Sequence, residues 1–326
     1  MNTKRKQLII ARLKTWGWAI LFLIAWALLQ VILSLPFLNV LLDETTEMMF
    51  LGTVVSLLST LIFVFIWTKF IHKDKWLDIG LRFGAKWKDL LWGMLYGATA
   101  ITAGFLICWA TGLIQVESVR FTPKLFLILL LFILVAFNEE ILARGYLLRR
   151  FMTVYPKYIA LGITALLFMS LHLANPNLST VGMINLFLAG LLLGIYYVYR
   201  QNLWFPIGLH FTWNTFQAIF GYNVSGQNLG NVLVQRPIEG MDWLTGGAFG
   251  FEGSVLCSVI GVVCVIAVYL QYGRQTEVPV EDEDLEALAF QAETLTPLTL
   301  LDDDELESLD DLEAPDIPDE KRPEEF

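Results

Sequence analysis

Eight stretches of the chain are apolar for long enough to lie in hydrocarbon, and clusters of charged residues separate most of them. They run from about Trp16 to Leu38, Met48 to Thr68, Leu90 to Ile114, and Leu125 on toward Arg149-Arg150. The later four are Tyr158 to Leu173, Val181 to Tyr199, Leu203 to Phe220 and Ser254 to Tyr272. No strand-like alternation and no internal repeat is apparent in this body. The pattern predicts an all-α fold, a polytopic membrane helix bundle of about eight transmembrane helices. The first run exceeds the h-region of a signal peptide and no small-residue cleavage site follows it, so it reads as a retained anchor.

Charge divides the chain in two. Of 32 acidic residues, 20 lie from Glu277 onward, opposed there only by Lys321 and Arg322. The rest of the chain holds 20 bases against 12 acids, so the formal charge of −10 belongs to one end. Residues 1–274 are therefore expected to form the transmembrane domain, with its motif core at 125–220. Residues 275–326 are expected to be a disordered acidic cytoplasmic tail, in which Pro279, Pro297, Pro315, Pro318 and Pro323 discourage long helices. Counted at alternate ends of the eight runs, Lys and Arg gather on the side of the N-terminus. Only Arg120, Lys124 and Arg236 fall on the other side. The positive-inside rule then puts both termini in the cytoplasm. Compact loops and the lack of an organelle signal point to a bacterial inner membrane. Cys108, Cys257 and Cys264 match no zinc or redox spacing and read as small buried hydrophobes.

Against this background, polar side chains inside the apolar runs stand out. The fourth run ends in Phe137-Asn138-Glu139-Glu140-Ile141-Leu142-Ala143-Arg144. A charge at the middle of a membrane helix costs roughly 2.5–3.5 kcal/mol, so such residues pair or line a functional cavity. Glu140 and Arg144 are spaced i,i+4 and pair on one helical face. Glu139 lies about 100° round the helix and has no such local partner.

Two of the three histidines also sit in apolar runs, His172 in the fifth and His210 in the seventh. Asn214 follows His210 by four residues, on the same face. His72, at a basic boundary, reads as a surface residue. Taken singly, each intramembrane histidine is more simply a packing residue; the set Glu139, Glu140, His172, His210 and Asn214 suits hydrolysis. In one arrangement the carboxylate deprotonates a water that a histidine holds, while His and Asn donors stabilise an oxyanion. In the other, Glu139, His172 and His210 ligate zinc and the metal-bound water is the nucleophile. There is no His-Glu-x-x-His helix and no phosphate-cradling glycine loop, and nothing points to nucleic acid.

Glu139-Glu140-x-x-x-Arg144, Phe168-x-x-x-His172 and His210-x-x-x-Asn214, in this order on separate helices, resemble the three motifs of the CPBP intramembrane proteases. That family includes CAAX prenyl endopeptidases and the Abi, or bacteriocin-processing, proteins. The resemblance covers roughly Leu125 to Phe220. It implies that Glu139 and His172 activate water, that His210 and Asn214 stabilise the oxyanion, and that Glu140, Arg144 and Phe168 brace the site. It leaves the cofactor open between zinc and a metal-free glutamate mechanism. The implied partners are membrane lipids and a peptide or protein substrate, lipid-modified or membrane-bound. Two other functions compete with the endopeptidase: a non-enzymatic bacteriocin-immunity or scaffold protein that binds a peptide in the same cavity, and an ion-coupled transporter.

Overall fold

Apolar runs of this length fold as helices because hydrocarbon offers no partner to an unpaired backbone N–H or C=O. The computed structural model describes residues 3–37, 45–230 and 232–273, so the acidic tail expected over 275–326 lies outside the described residues. Every one of the eight apolar runs is helical. They form α1 (Thr3–Ser34), α2 (Thr45–Ile66), α3 (Trp87–Ala110), α4 (Lys124–Glu140), α5 (Lys157–Leu171), α6 (Thr180–Arg200), α7 (Trp204–Phe220) and α8 (Val255–Tyr272). The protein is a mostly helical polytopic bundle.

Among the described residues six helices are long and apolar enough to cross a membrane: Arg5–Ser34, Thr46–Ile71, Trp87–Ala110, Lys124–Met152, Thr180–Arg200 and Val255–Tyr272. The two that fall short are α5 and α7. At 1.5 Å per residue they reach about 22 and 25 Å, less than the roughly 30 Å hydrocarbon core. These two helices carry the second and third motifs. The first helix also starts earlier than its apolar run, so Arg5, Lys6, Arg12 and Lys14 sit on the helix rather than before it. Arg12 donates to the Val154 carbonyl and lies over the Tyr155 ring, which fastens α1 to the end of the fourth span.

Beside the helices stands one short ribbon that the pattern did not announce. Ile114–Val119 (β1) and Leu233–Pro237 (β2) form an antiparallel two-stranded ribbon with an irregularity between Val116 and Ser118. It left no period-two signal because only Ile114 of β1 is buried, and alternation appears only where one face packs on a core. The ribbon ties the turn after α3 to the long segment between α7 and α8.

Close helix crossings fix α7. A Cβ on Gly93 of α3 would fall 2.0 Å from the Phe205 carbonyl oxygen, and one on Gly97 would fall 2.4 Å from that of Leu209. In return, a Cβ on Gly208 would meet the Leu90 carbonyl at 2.4 Å. Such small-residue contacts let two membrane helices approach backbone to backbone, and here they hold the helix that carries His210 and Asn214. His72 is not simply a surface residue. It is half-buried, its Nε2 lies 3.3 Å from the Tyr146 hydroxyl, and burial, with the nearby Arg150 charge, pushes its pKa down to about 3.

Candidate active site

The fourth span changes its winding where the first motif lies. Through Glu140 it is α-helical; from Ile141 to Leu148 it follows the wider π-helical path before a last α-turn, Arg149–Met152. π-Segments within helices gather at functional sites. All eight residues of this one are buried.

Glu140 and Arg144 pair as expected. Arg144 donates from NH1 to Glu140 Oε1 at 2.9 Å, with both side chains almost wholly buried. The guanidinium also donates to the Gly190 carbonyl of α6 at 3.1 Å and lies 4.5 Å from the centroid of Phe168 on α5. One cation thus joins three helices. Glu140 accepts a second hydrogen bond, from His210 Nδ1 at 2.8 Å, so it faces the third motif and not the cavity.

His172 is the C-cap of α5, since the helix ends at Leu171 and does not continue to Leu173. Its Nδ1 lies 2.7 Å from the Phe168 carbonyl oxygen. A carbonyl can only accept, so Nδ1 carries the proton; the same reasoning holds for His210 against the Glu140 carboxylate. Both rings, fixed through Nδ1–H, therefore turn Nε2 the same way. Glu139 Oε2 is what they face, at 3.5 Å from His172 Nε2 and 3.9 Å from His210 Nε2. These gaps exceed direct hydrogen bonding, and Oε2 is buried with no hydrogen-bond partner. Catalytic contacts are often this long before substrate binds.

Glu139, His172, His210 and Asn214 line one cavity of about 330 Å³, whose walls are otherwise largely apolar. The structure thus brings the motif residues together, with Glu139 in the cavity and Glu140, Arg144 and Phe168 around it. Two imidazoles and a carboxylate are zinc-type donors. Among the described residues, however, no group of three or more His, Cys, Asp or Glu is arranged to hold a metal ion. The donor types fit zinc, and no step below is routed through a metal.

Three side chains at the site have no place in the motifs. Asn138 accepts from Thr60 Oγ1 at 2.7 Å and donates to Ser56 Oγ at 3.0 Å, which pins α4 to α2 one residue before Glu139. Glu252, in the segment between α7 and α8, is a buried carboxylate that lines the cavity. It accepts from Trp213 Nε1 (3.0 Å) and Gln217 Nε2 (3.2 Å) on α7, each three residues beyond His210 or Asn214. Its other oxygen accepts from the backbone N–H and hydroxyl of Ser225, at 3.0 and 2.8 Å. Glu252 thereby latches the turn at Ser225 onto the helix of the third motif. Asn138 was visible as an amide in an apolar run. Glu252 stands between Phe251 and Gly253 in a segment with no periodicity, and only its lone charge before an apolar run hinted at it.

Glu252→Ala leaves several buried donors unsatisfied, and each such donor costs about 1–3 kcal/mol. The variant is expected to melt at lower temperature in detergent than wild type, with Ser225→Ala giving a smaller loss. Thermal unfolding followed by intrinsic fluorescence checks this.

Comparison with known proteins bears on the same region. Residues 121–216 match the family model described as type II CAAX prenyl endopeptidase Rce1-like, in agreement with the resemblance of the three motifs. The matched segment contains all seven motif residues; Ser225 and Glu252 lie beyond it. An Escherichia coli protein described as an uncharacterized 24.3 kDa protein is 38% identical over 102 residues, which cover 30% of this chain and 46% of that protein. The chain thus spans about half the length of this curated relative. No solved structure matches it. With six apolar spans and this family match, the chain is an integral membrane protein.

Proposed function

We propose that the protein is an intramembrane endopeptidase in which Glu139 is the general base. The observation that carries this reading is a single cavity in which one carboxylate oxygen, free of hydrogen bonds, faces the Nε2 atoms of two imidazoles from other helices. The Rce1-like match over the same residues supports it.

In this mechanism a water molecule enters between Glu139 and His172. Glu139 takes one proton of the water as its oxygen attacks the carbonyl carbon of the scissile peptide bond; the other O–H stays on that oxygen and donates a hydrogen bond to Nε2 of His172, which orients the attack. The carbonyl oxygen becomes an oxyanion beside Asn214, whose amide donates to it. His210 adds a second donor at Nε2 only when its ring carries both protons, because Nδ1 is committed to Glu140. Collapse of the tetrahedral intermediate breaks the C–N bond, and Glu139 returns its proton to the departing amine. Glu140 and Arg144 touch no substrate; they orient His210 and hold α4 to α5 and α6.

The apolar wall of the cavity, including Leu131, Phe132, Leu186 and Leu193, favours a substrate that brings apolar surface with it, a membrane-bound or lipid-modified peptide. The basic ends of the spans favour an orientation with the N-terminus and the tail in the cytoplasm.

Comparative peptide mass spectrometry of membranes from cells with the wild-type or Glu139→Gln protein tests this reading. Peptides whose new termini depend on the wild-type protein are expected, and they name the substrate. Identical peptide sets from the two membranes would count against cleavage.

A further inference from the structure

A second cavity, of about 380 Å³, lies away from the motif residues and is lined by Arg82, Lys86, Arg149, Arg200, Asp78 and Asn202 among others. We infer that it binds the phosphate headgroup of an acidic phospholipid, a site independent of the proposed peptidase chemistry.

Four cations and one carboxylate line this cavity. The neighbouring acids do not cancel the excess. Asp78 pairs with Arg82 at 2.7 Å, Asp89 lies 3.9 Å from Lys86, and Asp74 pairs with Arg149 and Arg150. Leaving Arg200 aside, four cations stand against three carboxylates among the described residues. An anion would complete the charge balance, and guanidinium forks match phosphate oxygens in geometry as well as charge.

Position identifies the source of the phosphate. Arg200 is the last residue of one candidate span, Arg149 lies three residues before the end of another, and Lys86 immediately precedes a third, Trp87–Ala110. Three span ends therefore converge where lipid headgroups lie. Exposed apolar side chains stand beside these cations: Leu77 in the cavity wall, Phe83 one residue from Arg82, and Trp87 next to Lys86. Basic residues with exposed aromatic and aliphatic neighbours at a span end favour a lipid, whose phosphate meets the cations while its chains run along the helices. Inorganic phosphate would have no use for that apolar rim. Arg200 is held in place over the Tyr272 ring, 5.3 Å from its centroid.

The test uses the purified full chain in detergent, titrated with dioleoyl phosphatidylglycerol, dioleoyl phosphatidylcholine or inorganic phosphate and followed by native mass spectrometry. Wild type is expected to retain phosphatidylglycerol in preference to phosphatidylcholine. Arg82→Gln with Lys86→Gln, at two exposed positions, is expected to weaken that retention about 10- to 30-fold, from roughly tenfold or less per basic residue. Arg82→Lys with Lys86→Arg, which keeps both charges, restores it and controls for folding. Equal retention of the two lipids, unchanged affinity in the Gln double variant, or displacement of phosphatidylglycerol by millimolar phosphate would each overturn the assignment.

Discussion

Glu139→Gln is expected to lower peptide cleavage by about 10²–10⁴-fold, the usual contribution of a positioned general base, and to leave the fold intact. The amide keeps the volume of the carboxylate and cannot take a proton from water. The barrier rises accordingly by about 2.7–5.5 kcal/mol. Stability is spared because Glu139 Oε2 has no hydrogen bond to lose, and the Arg144 pair belongs to Glu140. The two adjacent glutamates thus fail in different ways. His172→Ala removes the second holder of the water and is expected to reduce turnover over the same range. Turnover by the purified variants of a peptide found through the membrane comparison, set beside their melting temperatures, checks both; cleavage within threefold of wild type would contradict them.

Arg144→Ala has the larger effect on stability. It strands a fully buried carboxylate, removes a hydrogen bond to the Gly190 carbonyl and takes the cation from the Phe168 ring. Breaking a buried ion pair from one side costs about 3–5 kcal/mol, because the remaining charge keeps its desolvation penalty. The variant is expected to unfold at markedly lower temperature, or to fail to accumulate in the membrane. Adding Glu140→Gln removes the stranded charge, and the double variant is expected to recover part of the loss. A double-mutant cycle on thermal unfolding measures the coupling. The recovered protein is still expected to cleave poorly, since Glu140 also fixes the ring of His210. Additive losses in the cycle would show that the pair is not coupled as the distances indicate.

How much of this could be read from the chain differs from element to element. The helices were legible because an uncharged run of about twenty residues has few other solutions in a bilayer. The motif residues were legible because strongly polar groups are scarce in such runs, so that Glu139, His172, His210 and Asn214 drew attention by contrast. The i,i+4 spacing of Glu140 and Arg144 gave their pairing directly. Other features leave no such trace. Nothing in Ile141–Leu148 announces a change from α to π winding. The ribbon of β1 and β2 lacks a buried face and therefore lacks alternation. Glu252 belongs to a segment of short turns, and its importance arises only when Trp213, Gln217 and Ser225 converge on it in space. His172 was expected inside a helix, whereas the helix stops one residue before it. As a C-cap, it gives its Nδ1 proton to the Phe168 carbonyl and directs Nε2 toward Glu139.

The meeting of one carboxylate with two imidazoles is open to direct measurement, because the chain contains only three histidines. Protein labelled with [15N]histidine in detergent micelles gives imidazole signals from His72, His172 and His210, assigned by single substitution. On replacement of Glu139 by Gln, the Nε2 resonances of His172 and His210 are expected to shift while those of His72 stay in place. Unmoved signals from both His172 and His210 would mean that Glu139 does not face the two rings, and the proposed chemistry would lose its base.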